Sequence, residues 1–227
     1  MHLTEQFSAI LRGPFKGMSF ALGRSDGTLN RSKLLGTYET EIHPFLYDAI
    51  TRNPKKIINI GAGDGYYSVG CALLLSNSKV IAYEAADHER KMHISTIEVN
   101  QVNNCELRGY CSITELLSND IDKDTLIICD CEGFELEIFS NELFDKFSNF
   151  TALIETHDFI NPLITDKIVS NFQSRGFIIY GVESLRDVDK PSSYNLQELE
   201  NLSYDEKFDI LKERPDNMKW LYCKKIT

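Results

Sequence analysis

Two short clusters in this chain carry residues able to handle a proton. Asp130-Cys131-Glu132-Gly133-Phe134-Glu135 sets three carboxylates around one glycine, and Glu155-Thr156-His157-Asp158 flanks a histidine with acids. Histidine is the side chain best suited to take a proton near neutral pH. Each cluster follows an apolar run, Thr125–Cys129 and Thr151–Ile154, that reads as a buried strand. Both clusters therefore sit at strand carboxyl ends, where open parallel sheets bind their ligands. His157 is the candidate general base, with Asp130 either orienting it or acting in its place. Glu132, Glu135 and Glu155 would hold a bound hydroxyl or shape the loop, and Glu135 has the plainer reading of an acid in the first turn of a helix. Asp130, Glu132, Glu155 and His157 could instead hold a divalent metal that lowers the acceptor's pKa. The metal-free reading is the favoured one.

A third stretch, KKIINIGAGDGYYS from Lys55 to Ser68, reads as strand, glycine turn and helix. Glycines let the backbone approach a ligand, and the helix start offers free N–H groups and the positive end of its dipole. The dinucleotide pattern G-x-G-x-x-G is incomplete, because Gly61 and Gly63 fit but Tyr66 stands at the third position. A tyrosine there would prop the helix away, and Asp64 would repel a pyrophosphate. A ligand with a positive group and no pyrophosphate fits better, and S-adenosylmethionine, with its ammonium and sulfonium, is such a ligand. Glu84 ends the next strand 23 residues after Gly61, where a carboxylate can accept from both ribose hydroxyls. Cys111 and Ser112 follow the third strand, where an adenine would lie; a plain turn is the other reading.

These residues need a scaffold, and the rest of the chain alternates strand and helix to make one. Strands are expected at Lys56–Ile60, Lys79–Tyr83, Cys105–Gly109, Thr125–Cys129, Thr151–Ile154, Phe177–Val182 and Lys219–Cys223. Helices are expected at Tyr66–Leu75, Asp87–Val102 with Asp87 as its cap, Ile113–Ser118, Glu135–Phe147, Pro162–Arg175, Asn195–Glu200 and Tyr204–Glu213. Such alternation predicts a mostly parallel sheet with helices on both faces, an α/β Rossmann-like fold. Ahead of it, a helix over Leu3–Leu11, a glycine-rich loop over Gly13–Asn30 and a helix over Leu34–Thr51, kinked or started at Pro44, form a helical lead-in. The expected division is residues 1–52 as lead-in or lid and 53–227 as the main domain.

Composition narrows the function. The 227 residues, 42% hydrophobic, suffice for one packed domain. A net charge of −10 argues against a broad nucleic-acid surface. No apolar run approaches a membrane span, and the first residues lack the pattern of a signal peptide. The six cysteines form no C-x-x-C pair, so reduced thiols in a cytoplasmic protein are expected.

INIGAGDGYYS, VIAYEA, IICDCEGFELEIFS and ALIETHD, in this order, resemble the FkbM family of S-adenosylmethionine-dependent methyltransferases. The resemblance spans Lys55 to Asp158 and is most specific at D-x-E-G-x-E, Asp130–Glu135. It implies a seven-stranded class I methyltransferase fold with an antiparallel last strand, S-adenosylmethionine as donor, S-adenosylhomocysteine as product, and methylation of oxygen. It places Gly61, Ala62, Gly63, Asp64, Tyr66, Glu84, Ala85, Cys111, Ser112 and Asp130 around the donor. Gly36-Thr37-Tyr38-Glu39 resembles the G-x-Y-E that precedes the domain, which lays Tyr38 and Glu39 over it. The first motif departs from D-V-G-A-N-x-G: Asn59 replaces its Asp, Gly63 its Asn, and Asp64 fills the variable position, suited to the methionine ammonium. The expected acceptor is a hydroxyl on a small molecule or sugar. An NAD-dependent oxidoreductase on the same sheet, or a non-catalytic S-adenosylmethionine-binding module, are the rival readings.

Overall fold

The computed structural model describes residues 9–20, 31–213 and 218–225. The lead-in departs from expectation. Residues 3–8 of the first expected helix lie outside the described residues, and its end is extended, with Ala9 bridging Ser19. Gly23 and Gly27 of the expected loop also lie outside them. The helix expected over Leu34–Thr51 is broken into α1 (Arg31–Leu35), a 3-10 turn (Thr40–Ile42) and α2 (His43–Thr51). Gly36 ends α1 at a φ of 72°, where an added Cβ would lie 2.1 Å from the Arg12 carbonyl. Pro44 sits in the first turn of α2, so it starts that helix rather than kinking one.

From Lys56 the expected alternation follows. β1 (Lys56–Ile60), α3 (Tyr66–Leu74), β2 (Lys79–Tyr83), α4 (Asp87–Val99), β3 (Cys105–Arg108), α5 (Ile113–Leu117) and β4 (Thr125–Cys129) come in turn. Ala86, not Asp87, is the residue that precedes α4; Asp87 is its first helical residue. The helix expected over Glu135–Phe147 is two, α6 (Glu135–Ile138) and α7 (Asn141–Lys146). They part because Phe139 leaves the helical conformation, its ring buried 5.4 Å from that of Phe172. β5 (Thr151–Thr156), α8 (Ile164–Gln173) and β6 (Ile178–Glu183) follow, then α9 (Lys190–Ser193), which the sequence did not suggest. Asn195–Glu200 holds only a 3-10 turn, Gln197–Leu199, before α10 (Tyr204–Leu211) and β7 (Lys219–Lys224).

The seven strands form one sheet in the order β3-β2-β1-β4-β5-β7-β6, with β7 antiparallel to both neighbours and the other pairings parallel. The order reverses between β1 and β4, the switch point at which such sheets bind ligands. Ile60 lies opposite Tyr83 and Cys129, and Cys129 opposite Ile154. Gly61, Glu84 and Asp130 therefore leave the sheet at one end, level with Glu155, which is still inside β5 because that strand runs two residues past the expected Ile154 to pair with β7.

Each face of the sheet is covered by an apolar core, as strands buried on both sides require. One core gathers Ile58, Ile127, Ile154, Phe144, Phe150 and Phe172. The other joins Ile57, Ile128 and Leu153 to the lead-in through Ile10, Phe15, Leu34 and Leu46. Phe15 lies over Gly70 of α3, where a Cβ would meet its ring at 2.3 Å, and packs edge-on against Tyr66 at 5.0 Å. Beyond β6, the buried Lys190 ammonium is clamped between Asp187 and Glu213, each at 2.8 Å. Glu213 also accepts the backbone N–H of Glu39 at 3.2 Å. Burial pushes the Glu213 carboxyl up to about 8, against the pull of Lys190. Among the described residues no helix is long and apolar enough to cross a membrane.

Candidate functional site

A cavity of about 650 Å³ opens at this end of the sheet. Its floor is the turn after β1. Gly61 crosses so close to β4 that a Cβ would stand 1.5 Å from the Asp130 carbonyl oxygen. Gly65 has a φ of 94° and leaves 2.8 Å between an added Cβ and the His93 ring, so both positions demand glycine. His93 is buried beneath the turn and bonded to Ser68 Oγ at 2.8 Å. Burial pushes its pKa down to about 4, so it is a neutral prop.

Glu84 holds this turn in shape. Its two carboxylate oxygens accept the Gly63 N–H at 2.8 Å and the Ala86 N–H at 2.7 Å. Each oxygen keeps a lone pair for a further donor, which a ribose diol would supply. Gly63 leaves open space: the nearest atom to an added Cβ is a Glu89 oxygen at 3.9 Å. Asp64 accepts the Tyr66 N–H at 3.2 Å and pairs with Lys33 Nζ at 3.0 Å.

Of the residues singled out in the sequence, Tyr38, Gly61, Ala62, Gly63, Asp64, Tyr66, Glu84, Ala85, Cys111, Asp130 and Glu132 line the cavity. Glu39, Ser112, Glu135, Glu155 and His157 do not, the last three being buried behind the wall. Glu39 is buried at a φ of 49° with its N–H turned to Glu213, and Ser112 caps α5 by accepting the Glu115 N–H at 3.1 Å. Side chains that the sequence did not suggest complete the wall. They are Lys33 from α1, His88, Glu89 and Met92 from α4, and the exposed rings of Tyr110 and Phe134, packed edge-on at 6.5 Å on the rim.

The acidic side lies behind Asp130. His157 is fully buried, and its Nδ1 is hydrogen-bonded to Glu135 Oε1 at 2.6 Å. Its Nε2 has no hydrogen-bond partner among the described residues and faces Glu132 at 3.4 Å, Asp130 at 3.5 Å and Glu155 at 3.9 Å. With a carboxylate on Nδ1, the proton belongs on that nitrogen and Nε2 is the accepting one. Burial disfavours the imidazolium, but the bond to Glu135 and the charges of Glu135, Asp130 and Glu132 outweigh it and hold the His157 pKa above its ordinary value. Glu135 is thus the carboxylate hydrogen-bonded to His157, while Asp130, expected either to orient His157 or to act in its place, faces its Nε2 at 3.5 Å. The pairing joins the first residue of α6 to the residue that follows β5, and no spacing in the chain announces it.

Ligand atoms of Asp130, Glu155 and His157 all lie within 4.8 Å of one another, close enough to share a cation; Glu132 is not part of that group. Cys129 and Cys131 bring their sulfurs to 3.5 Å, and all six cysteines are unpaired.

No family model matches the chain, and no curated protein matches it. Solved structures do. The chain is similar to the O-methyltransferase from Bacillus cereus solved in complex with SAH, at 12% identity and a TM-score of 0.52, over 80% of this chain and 78% of that one. It is similar to precorrin-6y C5,15-methyltransferase from Geobacter metallireducens GS-15, at 14% identity and a TM-score of 0.53, over 81% and 88%. At these identities the likeness is one of fold: this chain is built on the Rossmann-like sheet that those methyltransferases share.

Proposed function

We propose that the protein is an S-adenosylmethionine-dependent methyltransferase that methylates a hydroxyl oxygen on a small molecule or sugar, as its resemblance to the FkbM family implies. The observation that carries the reading is the joining of two halves at one end of the sheet. A glycine turn held by Glu84 forms one half, and a Glu135-oriented His157 stands directly behind Asp130 in the other. The cavity suits the donor in size, since small-molecule sites span roughly 300–1,000 Å³. Glu84 would take the ribose, Asp64 the ammonium, and Tyr38 and Tyr66 would cover the donor from the lead-in side. S-adenosylmethionine supplies a methyl group already activated by the positive charge on its sulfur.

What remains for the protein is alignment and one proton. An alcohol is a poor nucleophile until a base removes its proton as the bond forms. Asp130, on the cavity wall, takes that proton and passes it to His157 Nε2 3.5 Å behind it, while Glu135 keeps the ring in the accepting tautomer and stabilises the imidazolium that results. Asp130 and Glu132 stand between His157 and the cavity and hold the hydroxyl. With the donor bound, an O–CH3 bond would form as the S–CH3 bond breaks to leave a neutral thioether, and the hydroxyl proton would end on His157. The five carboxylates that line the cavity, Asp64, Glu84, Glu89, Asp130 and Glu132, disfavour a polyanionic acceptor. The unpaired thiols suit a cytoplasmic setting.

Calorimetry with S-adenosylhomocysteine and with NAD tests the donor. Micromolar binding of the first alone is the expected result, and binding of NAD alone would return the oxidoreductase reading. A screen of hydroxyl acceptors with the wild type and His157→Ala then tests the chemistry. Transfer that survives the substitution would overturn the mechanism, and binding without transfer to any acceptor would favour a binding module.

A further inference from the structure

The cavity wall carries five carboxylates, and among the described residues Lys33 is its sole lysine or arginine. A donor with an amino-acid tail brings a carboxylate of its own into this acidic space, and an unpaired carboxylate there is strongly disfavoured. Lys33 is built to stay where it is. Its flanking residues Ser32 and Leu34 are buried, so α1 is anchored in the core beneath it. Its ammonium lies 3.0 Å from Asp64 Oδ1 and 4.8 Å and 5.6 Å from the ring centres of Tyr38 and Tyr66. Carboxylate and ring faces together fix its position.

An adjacent anion and cation on a cavity wall form the complement of a zwitterion. Resting on the donor reading above, we infer that Lys33 and Asp64 form a receptor for the amino-acid end of the donor, Lys33 taking its α-carboxylate and Asp64 its α-ammonium. Each protein charge then meets one ligand charge, and the four charges close without a net excess. Lys33 lies on the lead-in, so the segment ahead of the main domain supplies a residue that selects the ligand. Selectivity follows, because a nucleoside thioether without the amino acid gains nothing from Lys33.

The test compares two ligands by calorimetry on the full chain: S-adenosylhomocysteine, and 5′-methylthioadenosine, which lacks the amino-acid tail. Lys33→Met is expected to weaken S-adenosylhomocysteine about 10- to 100-fold and to leave 5′-methylthioadenosine within about twofold, as loss of one charge-assisted bond to the tail requires. Lys33→Arg should restore most of the loss. If Lys33→Met leaves both affinities unchanged, or weakens both equally, the inference is overturned while the donor reading stands. If the wild type binds neither ligand, both fall. Retained 5′-methylthioadenosine binding also shows that the Lys33→Met protein is folded.

Discussion

The half of the cavity built on β1 and β2 and the half built on β4 and β5 use different materials. The first is backbone: a turn of glycines in which Glu84 pins the Gly63 N–H and whose closest approach, Gly61 against Asp130, leaves no room for a side chain. The second is side chains: a buried imidazole ringed by Glu135, Asp130, Glu132 and Glu155. A backbone cradle binds by shape and resists change of charge. A buried carboxylate–imidazole cluster stores a strong dependence on protonation. The difference assigns binding to one half and proton transfer to the other, which makes the halves separable by mutation.

The largest effect expected is on the second half alone. His157→Ala should lower methyl transfer by about 10²- to 10⁴-fold, the usual worth of a general base, with S-adenosylhomocysteine affinity little changed. A matching loss of affinity in calorimetry would show that the halves do not act separately. Glu84→Gln attacks the first half. It should weaken S-adenosylhomocysteine by about 10- to 100-fold through the loosened turn and the lost charge, and a normal affinity with impaired transfer would reverse the assignment.

Glu135→Gln sharpens the comparison through pH. Carboxylates hold the His157 pKa above its ordinary value, so the base form is gained as pH rises, and kcat/KM should climb on an alkaline-going limb above 6.5. Removing the Glu135 charge lets burial act more freely, so the limb should move toward lower pH while S-adenosylhomocysteine binding stays put. A limb that does not move would mean another group sets it. The smallest effect expected is that of a chelator: although Asp130, Glu155 and His157 could share a cation, a base mechanism predicts that EDTA leaves transfer intact. Loss of activity restored by magnesium or manganese would hand the second half to a metal.

The two halves also differ in how far they can be read from sequence. Glycines at fixed spacing after an apolar run dictate a turn, so the cradle and the strand ends beneath it are legible, while the register that aligns Gly61, Glu84, Asp130 and Glu155 comes from the pairing of the strands. The residues of the acidic half are legible too, but not their pairing. Glu135 looks like an ordinary first-turn acid until the short α6 carries it against β5. The lead-in is least legible. Leu34 to Thr51 has a helical stripe, yet Gly36 and the left-handed Glu39 break it, and that break turns Lys33 and Tyr38 into the cavity. No periodicity reports where a broken helix will point.

The buried clamp of Asp187, Lys190 and Glu213 has a consequence outside catalysis. The carboxyl of Glu213, ordinarily near 4.5, is raised to about 8 in the folded chain, so at neutral pH the native protein keeps a proton that the unfolded chain gives up. The stabilisation tied to that proton is complete below the unfolded value and fades as pH rises through about 8. Unfolding in this window hands a proton to the solvent, so the heat of a thermal melt includes the buffer's own heat of protonation. Melts in phosphate and in Tris, matched in pH, would absorb different amounts of heat for the same loss of structure.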